Sequence, residues 1–118
     1  SMLPMDFLVI EGAGGWRVPI NKCETMADIP KQLNAEVILV VGIRLGCINH
    51  ALLTAQAIRQ DGLKIAGWVA NILDTEMLRI DENIDTLKHM LIEPCLGVVP
   101  RLSEVTPQQV AAHLTIPE

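Results

Sequence analysis

Aromatic side chains are nearly missing from this 118-residue sequence, which has two tryptophans, one phenylalanine and no tyrosine. Its apolar content comes instead from Val, Ile, Leu and Ala, the mixture found in strands buried on both faces between helices. Positive charge is sparse and never clustered: nine Lys and Arg against fourteen Asp and Glu give a formal net charge of -5. A surface that tracks nucleic acid or an anionic membrane needs concentrated cations, so neither partner is expected. Cys23, Cys47 and Cys95 lie far apart with no CxxC pattern, and an odd number of cysteines in a small chain does not build a disulfide framework. The expected setting is therefore the reducing cytoplasm. No apolar run approaches the ~20 residues that span a bilayer, and the start lacks the basic-then-apolar pattern of a secretory signal. Internal repeats, linkers and low-complexity segments are missing too.

What is present suffices for a single domain over 1–118. Half of the residues are hydrophobic, enough to bury a core. Ser1-Met2 reads as a scar left by tag removal ahead of a methionine.

Four continuous apolar runs end in glycine, proline or a polar residue and are predicted as strands: 6–11 (DFLVIE), 36–42 (EVILVVG), 64–71 (KIAGWVAN) and 95–99 (CLGVV). Between them the period becomes helical. Ile48, Leu52, Ala55 and Ile58 share one face, and over 76–91 Met77, Ile80, Ile84, Leu87 and Leu91 form a stripe against Asp81, Glu82, Asp85 and Lys88. Shorter helices are predicted over 25–33 and 107–114, the second with Thr106 as N-cap and Pro107 at the first helical position. Strands alternating with helices predict an α/β fold, a parallel sheet with flanking helices and right-handed crossovers. Ligands in such sheets bind beyond the carboxyl ends of the strands. That rule singles out Glu11, residues 42–50, Asn71 and the segment after Val99.

Glu11-Gly12-Ala13-Gly14-Gly15 places a carboxylate where the first strand ends, beside glycines that let backbone approach a ligand closely. It reads either as a solvated turn or as a Mg²⁺ ligand beside nucleotide phosphates, since hard cations take carboxylate oxygens. At 42–50 (GIRLGCINH) the second strand joins the longest helix, where the amides of Gly46, Cys47, Ile48 and Asn49 open the helix. Free donors and the positive dipole end suit an anion such as a substrate carboxylate; the plainer alternative is a β-to-α turn with Asn49 as a cap. Cys47 is read as structural, for want of a basic neighbour that would activate its thiol. His50, His89 and His113 have no metal-ligand spacing, and Trp16 and Trp68 are read as packing residues.

Taken in order, EGAGG after a strand, VILVVG followed by LGCINHALLTAQAI, AGWVAN and LGVVPRL resemble the C-terminal part of dethiobiotin synthetase. The likeness runs from about residue 6 to about residue 102 and then fades. It implies the C-terminal portion of a P-loop NTPase-like, doubly wound fold, and an enzyme that makes dethiobiotin from 7,8-diaminononanoate, CO₂ and ATP. In that reaction a substrate amine captures CO₂ as a carbamate, ATP phosphorylates it, and the second amine expels phosphate to close a ureido ring. Carried over residue by residue, the resemblance makes Glu11 a Mg²⁺ ligand and sets Gly12, Ala13 and Gly14 along the nucleotide. Asn71 would hydrogen-bond adenine, with Pro100, Arg101 and Leu102 covering the base. Gly46, Cys47, Ile48 and Asn49 would receive the carboxylate of the diamine in a homodimer.

The departures matter as much. The family's phosphate-binding loop, GxxxxGK[ST], occurs nowhere in these 118 residues, because Lys22, Lys31, Lys64 and Lys88 all lack its glycines. The main catalytic residues of the family belong to that region, so none is expected in this chain and the chain alone is expected to be inactive. Where the family supplies an acid for the ribose, this sequence has Pro107 within 104–108, and ribose binding is left open. Two other readings remain: a non-catalytic truncated unit that binds a carboxylate or dimerises, and a relative in the same superfamily such as a cobyrinic acid diamide synthase, against which GCINH argues.

Overall fold

The computed structural model describes residues 9–10, 15–76 and 78–116. The strand predicted over 6–11, and with it Glu11, Gly12, Ala13 and Gly14, lies largely outside them, as does Met77. In chain order the elements are α1 (Asp28–Leu33), β1 (Val37–Ile43), α2 (Cys47–Gln60), β2 (Ile65–Ile72), α3 (Ile80–Met90), β3 (Cys95–Val99) and α4 (Pro107–Ala111). The strands form one parallel sheet in the order β1-β2-β3. The α/β expectation holds, and each parallel pair is bridged by a helix because parallel neighbours need a long crossover.

Both crossover helices cover one face of the sheet. Val41 and Ile43 from β1 and Ile65, Trp68 and Ala70 from β2 meet Ala51, Ala55 and Ile58 of α2 and Ile84 and Leu87 of α3 in one buried cluster. Trp68 is fully buried, and its indole N–H donates to the carbonyl of Glu93 at 3.2 Å, which satisfies the one polar atom that a buried tryptophan brings into the core. Trp16 packs against the same cluster and donates to Asp61 at 2.8 Å. Both indoles therefore act in packing.

Of the short helices, α1 begins three residues later than predicted and α4 ends three residues earlier; the two long helices also differ from expectation. On α2 the fully buried stripe is Cys47, Ala51, Ala55 and Ile58, while Ile48 and Leu52 are only partly buried. The small residues face the sheet because they let the helix approach closely. The helix predicted from 76 begins instead at Ile80. Asp74 takes the amide of Glu76 at 3.0 Å, and Arg79 is left-handed at φ 62, so the local side-chain bond and the turn compete with the helix at its front. At α4 the cap is as expected: the Thr106 hydroxyl accepts from the Gln109 amide at 3.1 Å, with Pro107 behind it.

The opposite face of the sheet is thinly covered. Ile38 and Val40 of β1 are 48% and 61% exposed there. Val69, Leu96 and Val99 are covered by Val110 of α4.

Candidate functional site

Among the described residues, register brings the turn after β1, Asn71 and the segment after Val99 to one end of the sheet. Asn71, near the end of β2, pairs with Gly42 of β1 on one side and Val99 of β3 on the other. Parallel strands all point their carboxyl ends the same way, so the turn after β1 and the loop after β3 flank Asn71. A cleft of about 620 Å³ opens on the thinly covered face, and Asn71, Pro100, Arg101 and Leu102 all line it. Four residues singled out from two distant stretches of sequence thus share one cavity. Its remaining walls are mostly apolar, among them Val69, Val99, Val110 and Leu114, which suits the flat face of a base with few polar contacts. Arg101 reaches back to the carbonyl of Leu73 at 3.3 Å, tying the loop after β3 to the end of β2.

The turn at 44–49 is built for a helix start, although not in the way the spacing implied. Gly46, not Asn49, is the N-cap of α2, in the left-handed region at φ 87, where a side chain is strained. The Cys47 amide donates to the carbonyl of Arg44 at 3.0 Å and the His50 amide to that of Gly46 at 3.2 Å. Of the four amides expected to face an anion, that of Cys47 is therefore occupied. Those of Ile48 and Asn49, within the first turn, have no carbonyl four residues back inside the helix. Cys47 itself is buried, which fits a packing role. The turn does not line the Asn71 cleft.

The structure adds what the sequence reading missed. Val110, Leu114 and Thr115 return to line the Asn71 cleft, although the resemblance fades near Leu102. The four-residue spacing of Val110 and Leu114 was the available signal. Glu104 and Val105 are exposed and Pro107 opens α4, so no acid of the 104–108 stretch sits on a covered wall. Among the described residues no three His, Cys, Asp or Glu side chains form a group able to hold a metal ion, and no helix is long and apolar enough to cross a membrane.

Residues 3–109 match the model of a family described as an AAA domain. The chain belongs to this family. Among known relatives, the "ATP-dependent dethiobiotin synthetase BioD" of Cellvibrio japonicus is 55% identical over 98% of this chain and 51% of its own length. The protein of the same name from Pseudomonas aeruginosa is 57% identical over 97% of this chain and 50% of its own length. That from Aromatoleum aromaticum is 51% identical over 95% and 50%. The resemblance to dethiobiotin synthetase read from the motifs therefore extends over nearly the whole of this AAA-domain chain. The chain spans about half the length of the curated relatives it matches.

Proposed function

We propose that this chain supplies the base-binding and carboxylate-binding portion of an ATP-dependent dethiobiotin synthetase. The observation that carries the reading is the convergence of Asn71, Pro100, Arg101 and Leu102 on one apolar cleft at the carboxyl end of the sheet. Asn71 offers both a donor and an acceptor to the edge of adenine, while the loop after β3 covers its face. The start of α2 serves the second ligand: the Ile48 and Asn49 amides and the helix dipole favour the carboxylate of 7,8-diaminononanoate.

In the complete enzyme one amine of the diamine adds to CO₂ to give a carbamate, and a carbamate oxygen takes the γ-phosphoryl group of ATP, releasing ADP. The second amine then attacks the carbamoyl carbon, and phosphate leaves as the ureido ring closes. Such phosphoryl transfer depends on positioning and charge neutralisation, for which this chain offers Glu11 and its glycines. A lone carboxylate suits Mg²⁺, which takes one or two carboxylates together with phosphates and keeps several waters. We assign Glu11 to that ion and Gly12, Ala13 and Gly14 to the nucleotide. The working unit is a homodimer in the cytoplasm, a setting that agrees with three free cysteines.

The test uses an enzyme of the relatives' full length that contains this chain. Asn71→Ala should raise the KM for ATP by about tenfold, on the order of one lost polar contact to the base, and leave that for the diamine unchanged. A KM for ATP equal to that of the parent enzyme would remove Asn71 from the base site.

A further inference from the structure

The third strand carries an irregularity that the base-binding reading does not use. Trp68 of β2 pairs with Cys95, but the next residue, Val69, pairs with Gly97. Leu96 is the extra residue of a β-bulge, a device that bends a strand and re-aims its side chains. Its side chain is turned across the neighbouring strand, where a Cβ on Gly67 would come within 2.6 Å of it. Its carbonyl faces the sheet edge and receives the tail: the Thr115 amide donates to it at 2.8 Å and the Thr115 hydroxyl at 3.0 Å. Beside this, Gly97 and Leu114 form an isolated antiparallel bridge. The approach is so close that a Cβ on Gly97 would collide with the carbonyl of His113. The tail thus crosses the edge of β3 where only glycine admits it.

This crossing fixes the far wall of the Asn71 cleft. Leu114 and Thr115 line the cleft, as does Val110, and Val110 packs on Val69, Leu96 and Val99. Val99 leads directly into Pro100. The loop after β3 is therefore held at its start by Val99 under Val110, in its middle by Arg101 on the Leu73 carbonyl, and at its return by the tail on Leu96.

We infer that Gly97 and the Leu96–Thr115 pairing are a positioning device for the base-binding loop, through which the segment 110–115 sets the width of the cleft and hence its grip on a purine. The inference rests on the reading of Asn71 and residues 100–102 as the base site. Gly97 and Thr115 are positioning residues, acting through Pro100, Arg101, Leu102 and Val110.

Adenosine is the appropriate probe for this chain, because it carries the base and ribose and needs no phosphate loop. Binding is followed by nitrogen–proton NMR at the Asn71 side-chain amide and the Arg101 and Leu102 backbone amides. Gly97→Ala and Thr115→Pro, the second of which deletes both donors to Leu96, should each weaken adenosine at least fivefold. Thr115→Ser, which keeps both donors, should bind as the parent does. Amide exchange over 100–114 should quicken in Thr115→Pro while that of β1 is unchanged. Gly62→Ala is the control for lost stability alone, since Gly62 is left-handed at φ +82 in open space, outside the cleft lining; it should leave adenosine affinity intact. If Gly97→Ala does not fold, Thr115→Pro decides. Parent-like affinity in Thr115→Pro, while Asn71→Ala abolishes binding, overturns the positioning role and leaves the base site standing. If adenosine moves none of these resonances in the parent chain, the base site falls and the inference with it.

Discussion

Arg59 and Glu93, 34 residues apart in sequence, form a two-pronged ion pair: Nε reaches one carboxylate oxygen at 3.0 Å and Nη2 the other at 2.6 Å. The pair ties the last turn of α2 to the segment before β3, and the backbone of the same Glu93 receives the Trp68 indole. It thus fastens a crossover helix to the segment that leads into β3 and the loop at 100–102. The fork matches the carboxylate geometry that lysine cannot reproduce. Arg59→Lys should accordingly cost ~1 kcal/mol, the upper range for an exposed pair with good geometry, lowering the Tm by roughly 4 °C. Thermal unfolding at low and high salt checks this, with a smaller difference expected in high salt.

The hydrogen bond to Glu93, opposed by desolvation and aided by the nearby carboxylate charge, raises the pKa of Arg59 above its ordinary value. A cation whose folded pKa is raised contributes its stability fully below the unfolded pKa and loses it only as pH passes the folded one. Both lie above the working range. The Tm gap between the parent chain and Arg59→Lys should therefore stay constant from pH 7 to pH 9, below the range in which the introduced lysine titrates; a gap that closes over that interval would mean that the forked pair is not what the substitution removes.

Ile38 and Val40 expose apolar surface on the thinly covered face of the sheet, and contiguous apolar surface of this kind drives association. Light scattering at micromolar concentration should show a dimer or larger species. Replacing both residues with threonine, which preserves strand propensity, should shift the distribution toward monomer. A clean monomer in the parent chain would refute the expectation.

The parallel order was legible because continuous β-branched runs such as 36–42 alternate with amphipathic stripes such as Ile84 and Leu87, and each period has only one comfortable architecture. Asn71 and Pro100 were legible as neighbours for the same reason, since parallel strands end together. The front of α3 was not, because the Asp74 turn and the left-handed Arg79 outweigh a stripe that continues through them. The outer wall of the cleft was hidden for a different reason. It depends on the bulge at Leu96 and on the tail crossing Gly97, a contact between distant segments that no local pattern in CLGVV announces. At the start of α2 the sequence indicated the turn and its glycine, while the occupation of the Cys47 amide by Arg44 is a matter of backbone geometry alone.

The 118 residues hold no GxxxxGK[ST] sequence, the loop whose lysine and amides surround the β- and γ-phosphates in P-loop enzymes. Incubated with Mg²⁺, ATP, bicarbonate and diamine, the chain alone should yield no dethiobiotin by mass spectrometry. Turnover at ~1 per second or faster, an ordinary enzymatic rate, would show that the transition-state contacts come from elsewhere in these residues.

The proposed carboxylate and base sites should be separable by mutation. At Gly46 the left-handed φ of 87 is closed to proline, whose ring fixes φ near -65° and removes an amide; Gly46→Pro should therefore distort the first turn of α2, where the Ile48 and Asn49 amides have no intrahelical acceptor. Cys47→Ser should be mild for ligand binding, because the amide at 47 is held by Arg44 and the buried thiol is not aimed at solvent. In an enzyme of the relatives' full length, Gly46→Pro should raise the KM for diaminononanoate by tenfold or more. That for ATP should change less than twofold, since the Asn71 cleft does not include residues 46–49. Circular dichroism establishes first that the variant retains its helix content. Equal rises for both ligands, or a rise for ATP alone, would reduce the start of α2 to a turn.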